Sequence, residues 1–292
     1  MAIPKSAKFK YDIIQDYKVP NGKAGRFAAG KPTWVVVHSS GNPNAGIDSE
    51  IAYMTRNQDN AYTQAWAGHN KIVEIANTDY RCWGAGRTAN KYAVQIEVTE
   101  DKRLSKAQKL QAIDREAFWV AVQCAYYNIP LNKVYSHADI SRMYPQDTDH
   151  TDPIAFFKSV GVSWSQFKAQ VKKYHDVLVA GGDTTKITSL DGRKTTVTAS
   201  KPTTNTNTGI VKKYAENGVF YPKETIIVRD APTTKANIVA RYFKGENLTY
   251  NTVHIGNGYV WLEYLRNNGK SGFIPIREYK NGKYGKLWGT IK

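Results

Sequence analysis

The chain has 292 residues, a formal net charge of +16 from 41 Lys+Arg against 25 Asp+Glu, and 12% aromatic residues. That length suits one large or two ordinary domains with at least one sizeable core, and nothing in it approaches the roughly 20 apolar residues of a membrane span. Cys82 and Cys124, 42 positions apart, exclude a disulfide framework or a Cys-x-x-Cys metal pair and read as two reduced thiols.

The N-terminal segment MAIPKSAKFKYDIIQDYKVP has no apolar region, so the expectation is a chain made in the cytoplasm without a signal peptide. Residues 1–30 are polar, basic and dotted with glycine, and are expected to lie across a domain surface. Trp34 to His38 is a β-branched run ending in histidine and followed by Ser-Ser-Gly-Asn-Pro-Asn, a buried strand running into a loop. Residues 48–57 read as a short helix with Asp48 as N-cap. Ala61–Ala67 and Lys71–Ala76 read as a hairpin around Gly68-His69-Asn70, and Cys82 to Gly86 as a tight turn. In the strand Tyr92–Val98, alternation puts Ala93, Gln95 and Glu97 on one face and Val94, Ile96 and Val98 on the other.

Ser105, with Gln108 completing a capping box, opens the longest helix. Its stripe of Leu110, Ile113, Ala117, Val120, Cys124 and Tyr127 recurs at three- and four-residue spacing, and Pro130 stops it. Val134 and Tyr135 lead into YSHADISRMYPQDTDHTDPIAFF, where the prolines rule out one continuous helix and the side chains are expected on a loop. A last helix starts at Ser163 and runs through Phe167, Val171, Tyr174 and Leu178. Residues 181–210, rich in Thr, Ser, Asn and Gly, read as a flexible linker. From residue 211 short alternating strands are separated by turn signals such as Lys244-Gly245, Gly256-Asn257-Gly258 and Asn268-Gly269, as in a small all-β barrel. This last part is the most basic for its size, with 14 Lys+Arg against 6 Asp+Glu. Such a field favours encounters with a polyanion, nucleic acid or an anionic cell wall. No zinc-finger spacing, RNP-like motif or recognition helix favours nucleic acid.

His38 and Glu97 end strands, and His137, His150 and Asp152 lie within sixteen residues of one another. A catalytic zinc takes three protein ligands from His, Asp or Glu and keeps one position open for water. A carboxylate beside that water can act as general base, and a further polar group can stabilise an oxyanion. The inventory suffices for amide hydrolysis, although 99 positions separate His38 from His137.

VVVHSS around His38, Trp-Gly-x-Gly within Cys82–Gly86, QIEV around Glu97, and SHADIS with TDHTDP together resemble the type 2 N-acetylmuramoyl-L-alanine amidases, over about residues 30–175. That family includes phage endolysins, bacterial autolysin amidases and peptidoglycan recognition proteins. The resemblance implies a zinc amidase that cuts between the lactyl group of N-acetylmuramic acid and L-alanine. His38, His137 and Asp152 would hold one catalytic zinc, Glu97 would be the catalytic carboxylate, and His150 would stabilise the oxyanion. Many relatives have Cys-Pro where this chain has Asp152-Pro153, so the third ligand would be oxygen; His150, two residues away, is its competitor. Trp66, Trp83 and His69 are candidate substrate contacts. The C-terminal part, with Phe220-Tyr221-Pro222, Gly258-Tyr259-Val260-Trp261, Gly272-Phe273-Ile274-Pro275 and the final Lys-Leu-Trp-Gly-Thr-Ile-Lys, resembles the lysostaphin-type bacterial SH3b wall-binding domains. Tyr250, Phe273 and Trp288 would line its peptide groove.

The expected architecture is therefore an α/β domain over 1–180 with a mixed central sheet flanked by helices, a linker over 181–210, and an SH3-like barrel over 211–292. The expected protein is a monomeric phage endolysin, made in the cytoplasm and released to the wall of a Gram-positive host. Its partners would be the stem and cross-bridge peptides of peptidoglycan, with no nucleic acid and no membrane. The competing expectation is a non-catalytic peptidoglycan-binding protein on the same fold.

Overall fold

This computed structural model describes residues 3–4, 6–193, 209–266 and 271–292. The chain divides into two compact units. In chain order the N-terminal part contains β1 (Ile13–Gln15), β2 (Trp34–Ser39), α1 (Ile47–Arg56), β3 (Ala65–Ala67), β4 (Ile72–Glu74), α2 (Gly86–Ala89), β5 (Ala93–Val98), α3 (Lys106–Tyr127), β6 (Val134–Ser136), α4 (His137–Met143), α5 (Ile154–Ser159) and α6 (Trp164–Val179). Its strands form one mixed sheet in the order β1-β4-β3-β5-β2-β6. β2 runs parallel to β5 and β6, β3 runs parallel to β5, and β3 and β4 form the expected antiparallel hairpin.

The period-2 alternation sorts the sheet's faces. Val35, Val37, Val94, Ile96 and Val98 join Ile113, Ala117, Val120 and Cys124 of α3 and Phe167, Val171, Tyr174 and Leu178 of α6 in one core. Each fully buried Val or Ile side chain there stabilises the fold by about 1.5–3 kcal/mol. The opposite face carries Val36, His38, Gln95 and Glu97, and the parallel register pairs His38 with Glu97 and Trp66 with Glu97. A single row across three strands therefore holds Trp66, Glu97 and His38.

Three helices begin as capping boxes, with Ser105, Ser136 and Ser163 each accepting from the backbone N–H three residues on. Such a cap stabilises a helix by about 1 kcal/mol. α3 ends on Asn128 in the left-handed conformation, φ 56°. Four expectations change. The N-cap of α1 is Gly46, and Asp48 lies in the first turn, its carboxylate 2.6 Å from Lys71 Nζ. His137 does not sit on a loop but opens α4, because Ser136 and Asp139 cap it reciprocally. The N-terminal segment is not merely superficial: Ile13, Val19 and Phe27 are buried, and Phe9 and Tyr11 pack edge-on against Phe118. Finally, residues 181–193, expected at the start of a flexible linker, are tied to the first unit. Asp114, fully buried on α3, accepts from Tyr11 Oη (2.5 Å), Tyr174 Oη (2.7 Å), Gln170 Nε2 (2.8 Å) and the Leu190 N–H (3.1 Å). The rest of that expected linker, 194–208, lies outside the described residues, as does the expected turn at Asn268-Gly269.

The second unit contains β7 (Ile210–Pro222), β8 (Ile226–Arg229), β9 (Ile238–Tyr242), β10 (Leu248–Gly256), β11 (Tyr259–Leu265), β12 (Ser271–Lys280), β13 (Lys283–Tyr284) and β14 (Gly289–Ile291). Their order is β14-β7-β10-β11-β12-β8-β9, with β13 paired to β12, an all-β SH3-like half-barrel. Its core is a separate cluster of Phe220, Val228, Leu248, Val253, Leu262 and Ile274 with their neighbours.

Candidate metal centre

β2 delivers His38 from its end, the first residue of α4 is His137, and the turn before α5 delivers Asp152. His38 Nδ1 lies 3.3 Å from Asp152 Oδ2, and His137 Nδ1 lies 3.2 Å from Asp152 Oδ1. One ligand atom from each of the three residues falls within 4.8 Å of the others. Asp152 is held at its main chain as well, since its carbonyl accepts from the Ala138 N–H at 3.0 Å. Both imidazoles are buried, and each is gripped at its far nitrogen: His38 Nε2 by Gln95 Oε1 at 3.1 Å, His137 Nε2 by Thr148 Oγ1 at 2.8 Å. Such outer partners fix ring orientation and leave the opposite nitrogen for a metal.

The donor set fits a cation. Gln95 Oε1 can only accept, so His38 Nε2 carries a proton, and Nδ1 is the ring nitrogen that faces the Asp152 carboxylate. Burial lowers the pKa of His137, outweighing its hydrogen bond to Asp152, so a proton on that ring is disfavoured. Burial would raise the Asp152 carboxyl, but its contacts with His137 and His38 win and hold it well below the usual carboxylate range. The Nδ1 atoms of two imidazoles and a carboxylate thus converge on one point. Two His and one carboxylate form a donor set of catalytic zinc sites, with one position left open.

Around this centre the field is acidic. Glu97 has its Oε2 buried with no hydrogen-bond partner. Burial, reinforced by the negative charges of Asp152, Glu50 and Glu100, pushes its pKa well above the ordinary value. Glu116 on α3, which the sequence reading passed over, is fully buried with both carboxylate oxygens unpartnered, and burial followed by the charges of Glu97 and Asp152 raises it too. A bound cation would relieve this repulsion. His150 is exposed, its ring stacked on His137 with centroids 4.6 Å apart and its Nδ1 3.6 Å from Asp152 Oδ1. It can reach a group bound over the site.

The other sequence candidates divide. Trp66 shares the row with Glu97 but is only 2% exposed, with its Nε1 donating to Met54 Sδ at 3.2 Å. It has no face free for stacking, contrary to the substrate-contact expectation. Trp83 is half-buried, its Nε1 donating to the Gln58 carbonyl and its ring edge-on to Tyr62. His69 lines an open cleft of about 260 Å³ with Asp101, Arg103 and Thr99. In the second unit Tyr250 is 1% exposed, its hydroxyl donating to Glu216 at 2.6 Å, so it cannot line a groove. Phe273 is 8% exposed, edge-on to His254 at 5.3 Å, and half-buried Trp288 packs beside Tyr259 at 5.9 Å. Both cysteines are free and buried, as expected, and burial raises the thiol of Cys124 to about 12. Gln95 and Thr148 were not singled out, although the strand alternation had already put Gln95 on the face of Glu97.

No helix of the described residues is long and apolar enough to cross a membrane. The family model for N-acetylmuramoyl-L-alanine amidase matches residues 28–155, and that for the bacterial SH3 domain matches 212–276. The bifunctional autolysin of Staphylococcus epidermidis is 29% identical over 273 residues, covering 88% of this chain and 20% of the relative. Protein Ami of Listeria monocytogenes is 27% identical over 228 residues, covering 74% of this chain and 24% of the relative. The chain thus spans about a fifth to a quarter of the length of these relatives. The crystal structure of Staphylococcus aureus hydrolase AmiA in complex with its ligand is 26% identical with a TM-score of 0.53, over 59% of this chain and 86% of that one. Residues 28–155 thus carry an N-acetylmuramoyl-L-alanine amidase domain and residues 212–276 a bacterial SH3 domain.

Proposed function

We propose that the first unit is a zinc-dependent N-acetylmuramoyl-L-alanine amidase and that the second carries it to the bacterial wall. The observation behind this reading is the convergence of His38 Nδ1, His137 Nδ1 and the Asp152 carboxylate on the sheet face that also bears the unpartnered Glu97. Those three residues would hold the ion. Zinc bound there would supply Lewis acidity toward a water and toward the substrate carbonyl.

The remaining work falls to protein groups. Glu97, beside His38 in the register, takes a proton from the attacking water and returns it to the departing amine of L-alanine. Its burial matters here, because it raises the pKa above the ordinary carboxylate value, the direction that strengthens a general base. His150, exposed and stacked on His137, donates toward the carbonyl oxygen as negative charge develops on it.

The second unit supplies proximity: tethering raises the concentration of substrate at the first unit without altering its chemistry. Phe273 and Trp288 remain the candidate peptide contacts. As an endolysin, the protein would attack the wall of a Gram-positive host once past the membrane.

The test is release of L-alanine amino termini from purified walls in the presence of zinc. No new amino termini would sink the amidase reading and leave a wall-binding protein, and new reducing ends would indicate a glycosidase. Zinc content separates the ligand roles: Asp152→Ala should empty the site and His150→Ala should not. A chain ending at Arg193 should cleave soluble wall fragments yet fail to sediment with intact walls.

A further inference from the structure

The Trp83-Gly84-Ala85-Gly86 turn touches none of the three candidate ligands, yet two chains of contacts run from it to the two imidazoles. We infer that this turn is the frame that aims both rings at the metal, acting through Gln95 and Thr148 as positioning residues. The inference rests on the metal-site reading above.

The first arm runs to His38. The N–H groups of Gly84 and Ala85 donate to Asn90 Oδ1 at 3.2 and 2.9 Å, which identifies that atom as the amide oxygen. Gln95 Nε2 donates to the same oxygen at 2.9 Å, so Gln95 must present its Oε1 to His38 Nε2. If the Gln95 amide flipped, its oxygen would face Asn90 Oδ1, an acceptor against an acceptor. The main-chain N–H of Gln95 is itself fixed by Gln64 Oε1 at 2.7 Å, and Gln95 is fully buried. Gly84 makes room for this: a Cβ there would lie 2.7 Å from Gln95 Oε1.

The second arm runs to His137. Gly86 adopts φ +79°, and a Cβ on it would lie 3.0 Å from both Cβ and the carbonyl oxygen of Asp147. Asp147 closes onto the turn by accepting from the Thr88 N–H at 2.7 Å, with Arg87 Nε 3.7 Å from its other oxygen. The next residue, Thr148, then meets His137 Nε2 at 2.8 Å. One turn therefore sets two rings that arrive from β2 and from α4, and each glycine of the motif serves one of them.

The test is zinc affinity by competition with a chromophoric chelator, together with the absorption spectrum of the cobalt-substituted protein. Gln95→Met and Thr148→Val each remove the partner while keeping side-chain bulk. Each should weaken zinc binding about 10- to 100-fold and shift the cobalt bands, and Thr148→Ser should restore both. Gly84→Ala should reproduce Gln95→Met, and Gly86→Ala should reproduce Thr148→Val. Should Gln95→Met fail to fold, the half-buried Thr148 arm decides: unchanged affinity and an unchanged cobalt spectrum in Thr148→Val overturn the inference. His38→Ala separates the two readings. If it binds zinc as tightly as the unaltered chain, the metal site itself is wrong. If it loses zinc while Thr148→Val and Gln95→Met keep it, the metal site stands and the frame falls.

Discussion

Each unit contains a buried histidine on a strand beside a carboxylate, and the two differ in what surrounds the pair. In the second unit His254 Nε2 lies 2.8 Å from Glu263 Oε2. That carboxylate is closed off by Ser271 Oγ at 2.6 Å and approached by Lys213 Nζ at 3.8 Å, so its charge is answered locally. In the first unit His38 faces Asp152, but Asp152 is shared with a second imidazole and lies among Glu97, Glu116, Glu50 and Glu100. A buried imidazole–carboxylate pair is an ordinary structural element when its charges cancel. It becomes a site when several acceptors converge and no protein cation meets them.

The largest effect should come from Glu97→Gln, which keeps the shape and removes the base. Turnover on wall fragments should fall about 10²- to 10⁴-fold with zinc content unchanged by metal analysis; a fall below tenfold would remove Glu97 from the chemistry. Next, His254→Leu leaves Glu263 with one partner fewer and should destabilise the second unit by about 1–3 kcal/mol, read by denaturant unfolding, while zinc content stays the same. Loss of zinc in that variant would erase the contrast between the two histidines.

Glu116 tests the acidic field through pH. Burial raises its folded pKa above the ordinary 4.5. The stability belonging to its protonated form is therefore fully present below the unfolded pKa and is lost as pH rises through the folded one. Glu116→Gln should unfold several degrees higher than the unaltered chain at pH 8 and nearly together with it at pH 4, as followed by circular dichroism. A difference of equal size at both values would show that the carboxyl's charge is not what matters there. The smallest effect is expected from Tyr250→Phe, which loses only the hydrogen bond to Glu216 and about 1 kcal/mol. Sedimentation with walls should not change, because the ring is buried.

Much of the site was legible in the sequence because strand alternation and strand ends are local signals. His38, Gln95 and Glu97 fall on one face by counting alone, and His137 and Asp152 stood out by residue type. What escaped was set by tertiary contacts. α4 was hidden by the prolines that follow it, Pro145 and Pro153, although Ser136-x-x-Asp139 carries its capping signature. The segment 181–193 has a linker's composition, yet a buried carboxylate 76 positions before Leu190 holds it. Trp66 reads as a stacking candidate by residue type and Tyr250 as a groove residue by the SH3b resemblance, but neither signal tells a buried ring from an exposed one. Glu116 looked like one more polar position on a long helix until both of its faces were seen to be covered.

The main-chain bond from Ala138 to the carbonyl of Asp152 has a practical consequence. It pins together the two ends of a loop whose tip, at Pro145 and Gln146, is exposed. The ligands at either end are fastened independently of that tip. Extra residues inserted between Pro145 and Gln146 would lengthen the exposed tip while the Ala138–Asp152 bond keeps the two ends together. That makes the tip the natural place to graft new peptide preferences onto this scaffold.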